Sequence, residues 1–131
     1  MVSELNVQEV IRKYRNLYLG IKPTYCKALD DKVYFNIRGF KHLIFKRKHR
    51  RDNETIYKRL VLIPLIVPVI RNCDEPIEIR KKPEILGGKK IWVEYTAIEA
   101  KVGKNDARVR VVIKKIGTKG KNYFQSIMKY N

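Results

Sequence analysis

The stretch GFKHLIFKRKHRR, residues 39–51, holds both histidines of the chain, His42 and His49. From Arg38 to Arg51 it carries seven Lys or Arg residues and no acid. Imidazole changes charge near neutral pH, and neighbouring cations favour its neutral form. A neutral imidazole among cations is a poor structural charge but a useful proton carrier. The two histidines differ in setting. His42 lies between Phe40 and Leu43–Ile44, at the expected edge of a core, where it is held rigidly as a proton carrier or as a satisfied structural histidine. His49 sits in KRKHRR, expected as an exposed turn, where a solvated charge run is the ordinary reading.

The elements that must position these groups belong to one domain. The chain has 131 residues with 44% hydrophobic content, enough for a single core. Thirty Lys and Arg against 13 acids give a net charge of +17. Such an excess favours a polyanionic partner, nucleic acid before a membrane surface. The longest apolar run, LVLIPLIVPVI at 60–70, is too short to span a bilayer and reads as buried core. No secretory signal is visible, so a cytoplasmic protein is expected. Cys26 and Cys73 stand far apart without a CxxC pairing, which fits free thiols and no zinc site. No metal or other cofactor is expected.

The periodicity of Val7, Val10, Ile11, Tyr14, Leu17 and Tyr18 predicts a helix over 3–19, capped by Ser3 and ended at Gly20 and Pro23. VYFNI at 33–37 reads as a strand and FKHLIF as a helical turn or two. Asp52-Asn53 caps a helix near Glu54, with Ile56, Leu60 and Ile63 on one side. Pro64 ends that helix or starts another. The segment DEPIEIRKKPEILGGKK reads as a strand fragment and a long loop. Strands over 91–102, 107–117 and 122–130 then form an antiparallel meander, which makes the domain α+β.

Alternation on the penultimate strand turns Val109, Val111 and Ile113 to the core and Arg110 and Lys114 away from it. If residue 114 lies opposite about 124, Phe124 and Ser126 join Arg110 and Lys114 on the open face. Cations, a hydroxyl and an aromatic ring would suit a phosphate and a stacked base, although the pattern equally fits a solvated sheet face. Trp92 and Tyr95 could also stack bases, but core packing is the commoner fate of strand aromatics.

RNA cleavage without a metal needs proton carriers, cations for the phosphorane charge and small hydrogen-bonding groups to orient the phosphate. The chain supplies these types. It has no carboxylate clusters of the kind that hold Mg²⁺ for two-metal DNA cleavage. RNA brings its own nucleophile, so RNA is the expected substrate.

The ordered set VYFNIRGFKHL, YKRLVLIP, VRVVIKKIG, a Gly/Lys turn and YFQSIM resembles the BECR-type ribonucleases, the superfamily of barnase, EndoU, RelE and the tRNA-cleaving colicins. The small phage-type or stand-alone members are the nearest in pattern. The resemblance covers residues 32–128, leaving 1–31 as an N-terminal helix and connection. It implies N-terminal helices packed on a four-stranded antiparallel sheet with the site on the open face. The implied activity is metal-independent endoribonuclease cleavage, of tRNA or another RNA, leaving a 2′,3′-cyclic phosphate. It assigns His42 as proton carrier, Arg59 as phosphate clamp, Lys114 for transition-state charge and Ser126 to hold the phosphate. Lys41, Lys46 and Lys121 would steer RNA. Where relatives carry another His or Arg in the last hairpin, this chain has Asn122 and Tyr123, so Tyr123 or His49 would have to substitute. A toxin-type ribonuclease implies an acidic inhibitor protein as partner. The competing expectation is a non-catalytic RNA- or DNA-binding module using the same basic sheet face.

Overall fold

The computed structural model describes residues 4–130. Helix α1 (Glu4–Leu19) leads to strands β1 (Thr24–Cys26) and β2 (Asp31–Tyr34). Helix α2 (Ile37–Ile44), a short hairpin of β3 (Phe45–Lys46) and β4 (His49–Arg50), and helix α3 (Asn53–Leu60) follow. A 3₁₀ turn (Ile63–Leu65) then joins α4 (Ile66–Asn72), and β5 (Glu78–Leu86), β6 (Lys89–Val102), β7 (Ala107–Ile116) and β8 (Asn122–Tyr130) complete the described chain. The fold is α+β, as the order of helices and strands implies. Ser3, the expected cap of α1, lies outside the described residues.

The main sheet has six strands in the order β1-β2-β8-β7-β6-β5, not four. It is mixed rather than antiparallel: β2 runs parallel to β8, pairing Val33 with Asn122 and Tyr34 with Tyr123. Asn122 secures this junction by donating its side-chain amide to Asp31 Oδ2 at 3.0 Å. The remaining pairs of the main sheet are antiparallel. Such a docking between distant segments leaves no local signature, whereas the β6–β7–β8 meander is read from its short turns.

The 74–90 segment is not a long loop. Its residues 78–86 form β5, closed onto β6 by Gly87–Gly88, both at positive φ as a two-residue hairpin turn requires. Pro83 is tolerated because β5 is an edge strand with no ladder on its outer side. The VYFNI segment leaves the strand earlier than its apolar alternation implies. β2 ends at Tyr34 because Asn36 caps α2, accepting the Gly39 N–H on its side chain at 3.2 Å.

The core lies between one sheet face and the helices. Val109, Val111 and Ile113 of β7 meet Ile98 of β6, Phe124 and Ile127 of β8, and the α4 residues Ile66, Val69 and Ile70. Of the 60–70 run, Leu60, Leu62, Ile63, Ile66, Val69 and Ile70 are buried, whereas Pro64 is exposed; Pro68 sits in the first turn of α4, where no N–H is needed. Tyr18 of α1 is fully buried among Phe35, Phe40 and Phe124, and its hydroxyl donates to Asn36 O at 2.7 Å. Cys26 and Cys73 are free and buried.

Asp52 caps α3 by accepting the Thr55 N–H at 2.8 Å, which holds its carboxyl below the usual range. Replacing Asp52 by Ala is expected to lower Tm by a few degrees at pH 7. Because the folded-state pKa is depressed, that difference should close as pH falls through the carboxyl range. Melting curves at pH 7 and pH 3 check both parts.

Candidate functional site

The site begins with an approach that glycine alone permits. A Cβ on Gly39 would lie 2.5 Å from the Tyr18 hydroxyl and 2.6 Å from the Phe124 carbonyl oxygen. The first turn of α2 therefore rests directly on β8. One turn further on, this contact carries His42 against β8, where the side-chain amide nitrogen of Gln125 lies 3.2 Å from His42 Nε2. An amide N–H only donates, so Nε2 accepts and the ring proton sits on Nδ1. Burial pushes the His42 pKa below its ordinary 6.5, and the charges of Lys114 and Arg51 push it the same way. His42 is thus a neutral imidazole at pH 7.

Gln125 faces His42 because the β7–β8 ladder is broken at that point. Val112 pairs with Ser126, but Ile113 pairs with Phe124, which leaves Gln125 as the extra residue of a β-bulge. The bulge changes the parity of β8. Ser126 shares the open face with Val112, as expected, but Phe124 does not: it lies opposite Ile113 and is 1% exposed. Phe124 therefore cannot stack a base. Tyr123 takes the open-face position instead, opposite Lys114.

His42, Lys114, Tyr123, Gln125, Arg38 and Asn36 line a pocket of about 250 Å³. Two of the four expected catalytic side chains, His42 and Lys114, meet there. Arg59 does not join them. It lines a neighbouring groove of about 640 Å³ between α3 and β8, and its guanidinium donates to Ile127 O at 3.4 Å. The RL pattern of α3 gives no distance along β8, which is why sequence alone could not separate Arg59 from the pocket. Ser126 also lies outside the pocket lining.

The expected RNA-steering residues divide similarly. Lys121 is exposed and stands over the Tyr34 ring at 4.6 Å, with Tyr34 6.1 Å from the Tyr123 ring. Lys41 is exposed on α2, and Lys46 pairs with His49 across the exposed β3–β4 hairpin. His49 is not in the pocket lining. Arg110 is tied down: it meets Glu99 at 2.9 Å and Glu78 at 3.9 Å and stacks on Tyr130. Lys114 lies 3.7 Å from Glu84. The Tyr95 hydroxyl donates to Glu84 and, together with Lys114 and Lys82, holds that carboxyl below its usual range. The open face is therefore a lattice of paired charges rather than a uniformly cationic surface, because β5 and β6 bring glutamates that the parity of β7 and β8 does not reveal.

Sequence reasoning missed Gln125, Asn36, Arg38 and Arg51. Asn36 was visible as a polar residue just before a helix; Gln125 was hidden by the bulge. Arg51 packs beside the site by donating Nε–H to the His42 carbonyl oxygen at 3.2 Å. Among the described residues, no three His, Cys, Asp or Glu side chains gather where they could hold a metal ion, and no helix is long and apolar enough to cross a membrane. Compared with family models, curated proteins and solved structures, the chain matches none.

Proposed function

We propose that the His42 pocket is the active site of a metal-independent endoribonuclease. The observation that carries this reading is the neutral His42 imidazole, its Nε2 lone pair directed at Gln125 in a pocket shared with Lys114 and Tyr123. The RNA 2′-hydroxyl displaces the Gln125 amide and gives its proton to Nε2. Its oxygen attacks phosphorus, and the bond from phosphorus to the 5′-oxygen breaks. The Tyr123 hydroxyl returns a proton to that leaving oxygen, giving a 2′,3′-cyclic phosphate and a 5′-hydroxyl end. Lys114 and Arg38 stabilise the charge that develops on the phosphorane. The roles once expected of Arg59 and Ser126 pass to Arg38 and Gln125, while Arg59 meets RNA or a partner in its own groove. An enzyme of this kind works in the cytoplasm under an acidic inhibitor protein, to which the +17 chain is complementary.

The pH dependence tests the assignment. Cleavage should fall as pH drops through the folded-state pKa of His42, below 6.5. In Gln125→Glu a carboxylate faces the imidazole and favours its charged form, so the acidic limb of the kcat/KM profile should move to higher pH by about one unit. An active Gln125→Glu variant with an unmoved acidic limb would show that another group titrates.

A second reading is a non-catalytic nucleic-acid-binding module. It is favoured by the distance of Arg59 and Ser126 from the pocket lining, since the full expected constellation does not converge. Salt-dependent binding fits both readings; turnover separates them.

A further inference from the structure

The β5–β6 hairpin outruns the sheet that supports it. Its ladder continues from Glu78–Ala97 to Leu86–Lys89, but β6 joins β7 only from Val93, opposite Ile116. The pairs from Pro83–Trp92 to the Gly87–Gly88 turn therefore form a two-stranded ribbon without a third strand. One face of that ribbon is apolar and open. Trp92 is 60% exposed and Ile85 is 70% exposed, with Pro83 directly across from Trp92. An isolated ribbon of this kind gains nothing for the core from a large exposed indole.

The charge around Trp92 indicates what covers it. On its own face stand Lys90, opposite Ile85, and then Lys81 and Lys115, both opposite Glu94. Among the described residues of that face Glu94 is the one acid, and it lies 3.7 Å from Lys81. Trp92, Lys81, Lys115 and Thr118 border a shallow depression of about 430 Å³. A second copy of the chain is a poor occupant. Pro83 removes a donor from the outer edge of β5, and the run Arg80-Lys81-Lys82 would repel its equivalent. A polyanion with flat, exposed rings satisfies both the cations and the indole.

The ribbon also lies next to the pocket by way of the last turn. The Gly117 N–H donates to the Trp92 carbonyl oxygen at 2.8 Å, so the ribbon's base abuts the β7–β8 connection. That connection carries Lys119 and Lys121 and returns to Tyr123 in the His42 pocket.

We propose that this ribbon is a second RNA contact, in which an unpaired base stacks on Trp92 and the flanking phosphates lie along Lys90, Lys81 and Lys115. The strand crosses from the His42 pocket over the Lys119–Lys121 turn. The inference rests on the RNA reading of that pocket and extends it to the other sheet face. It assigns the chain an extended single-stranded substrate.

Trp92 is the only tryptophan in the chain, so fluorescence excited at the red edge, where its eight tyrosines do not absorb, reports on this contact. The probe is a 2′-O-methylated oligouridine of about twelve nucleotides, long enough for such a path and unable to undergo 2′-hydroxyl attack. The full chain should show saturable quenching, at the same affinity as fluorescence anisotropy of the labelled oligonucleotide. Trp92→Ala should weaken binding about tenfold, and Lys90→Glu should weaken both binding and quenching, while Trp92→Phe keeps most of the affinity. Binding with unchanged fluorescence and an unaffected Trp92→Ala variant would overturn the proposal, as would the absence of binding. So would a Trp92 response to anionic vesicles, or to protein concentration alone, without a response to the oligonucleotide. Because the probe cannot be cleaved, the result stands apart from the activity of the pocket: quenching by an enzyme that cleaves no RNA would retain the ribbon contact and remove the catalytic reading.

Discussion

Gly39→Ala is expected to destabilise the protein by about 3 kcal/mol, although alanine is ordinarily the better helix former by about 1 kcal/mol. The added Cβ would fall 2.6 Å from the Phe124 carbonyl oxygen and 2.9 Å from its ring, positions fixed by the β8 ladder and by core packing. Neither is the free end of a flexible side chain. The only relief is for α2 to lift from β8, which loosens Phe40 and Leu43 in the core and separates His42 from Gln125. Urea denaturation should therefore show a large fall in midpoint. Whatever activity remains should fall more than the folded fraction explains, because the site is assembled by this contact. A Gly39→Ala variant as stable as the parent would mean that α2 does not rest on β8 so closely.

His42→Ala is expected to reduce RNA cleavage by about 10²- to 10⁴-fold, the range a positioned general base contributes. Substrate binding should change little, because the neutral imidazole adds no charge to the surface. The same variant carries a stability signature of opposite sign at low pH. The His42 pKa is lower in the folded state than its ordinary 6.5, so the unfolded chain takes up the proton first. Parent stability should fall as pH drops below 6.5 and level off below the folded-state pKa. His42→Ala should remove that part of the decline. His49→Ala is the control: His49 is exposed on the β3–β4 hairpin, outside the pocket lining, and should not affect cleavage. Loss of cleavage in His49→Ala with full activity in His42→Ala would reverse the assignment.

How much of this was legible in the sequence depends on whether the controlling interaction is local. The alternation of Val109, Val111 and Ile113 carried β7 and its core face, since period two is a property of the strand itself. The Asp52 cap marked the start of α3, because a cap lies within three residues of what it bonds. Phe124 was misplaced by the same alternation that placed Ser126 correctly: one extra residue, Gln125, divides β8 into two parities. No composition marks such a bulge, and it is also what turns Gln125 towards His42. Pro83 and Gly87–Gly88 spoke for a loop, yet an edge strand tolerates the one and a tight hairpin requires the other. The separation of Arg59 from His42 and the pairing of Arg110 with Glu99 both depend on long-range neighbours. Residue type reveals the chemistry available; only the packing of α2, α3 and β5 around β8 and β7 decides which groups meet.

A proton taken by His42 from an RNA hydroxyl leaves its record in the ends of the products. The purified chain, incubated in EDTA with total tRNA and with a labelled single-stranded RNA, should give defined fragments bearing 2′,3′-cyclic phosphates and 5′-hydroxyls. Over the same time the His42→Ala protein should leave both RNAs largely uncut. Binding without cleavage, or fragments with 5′-phosphate ends, would contradict the account.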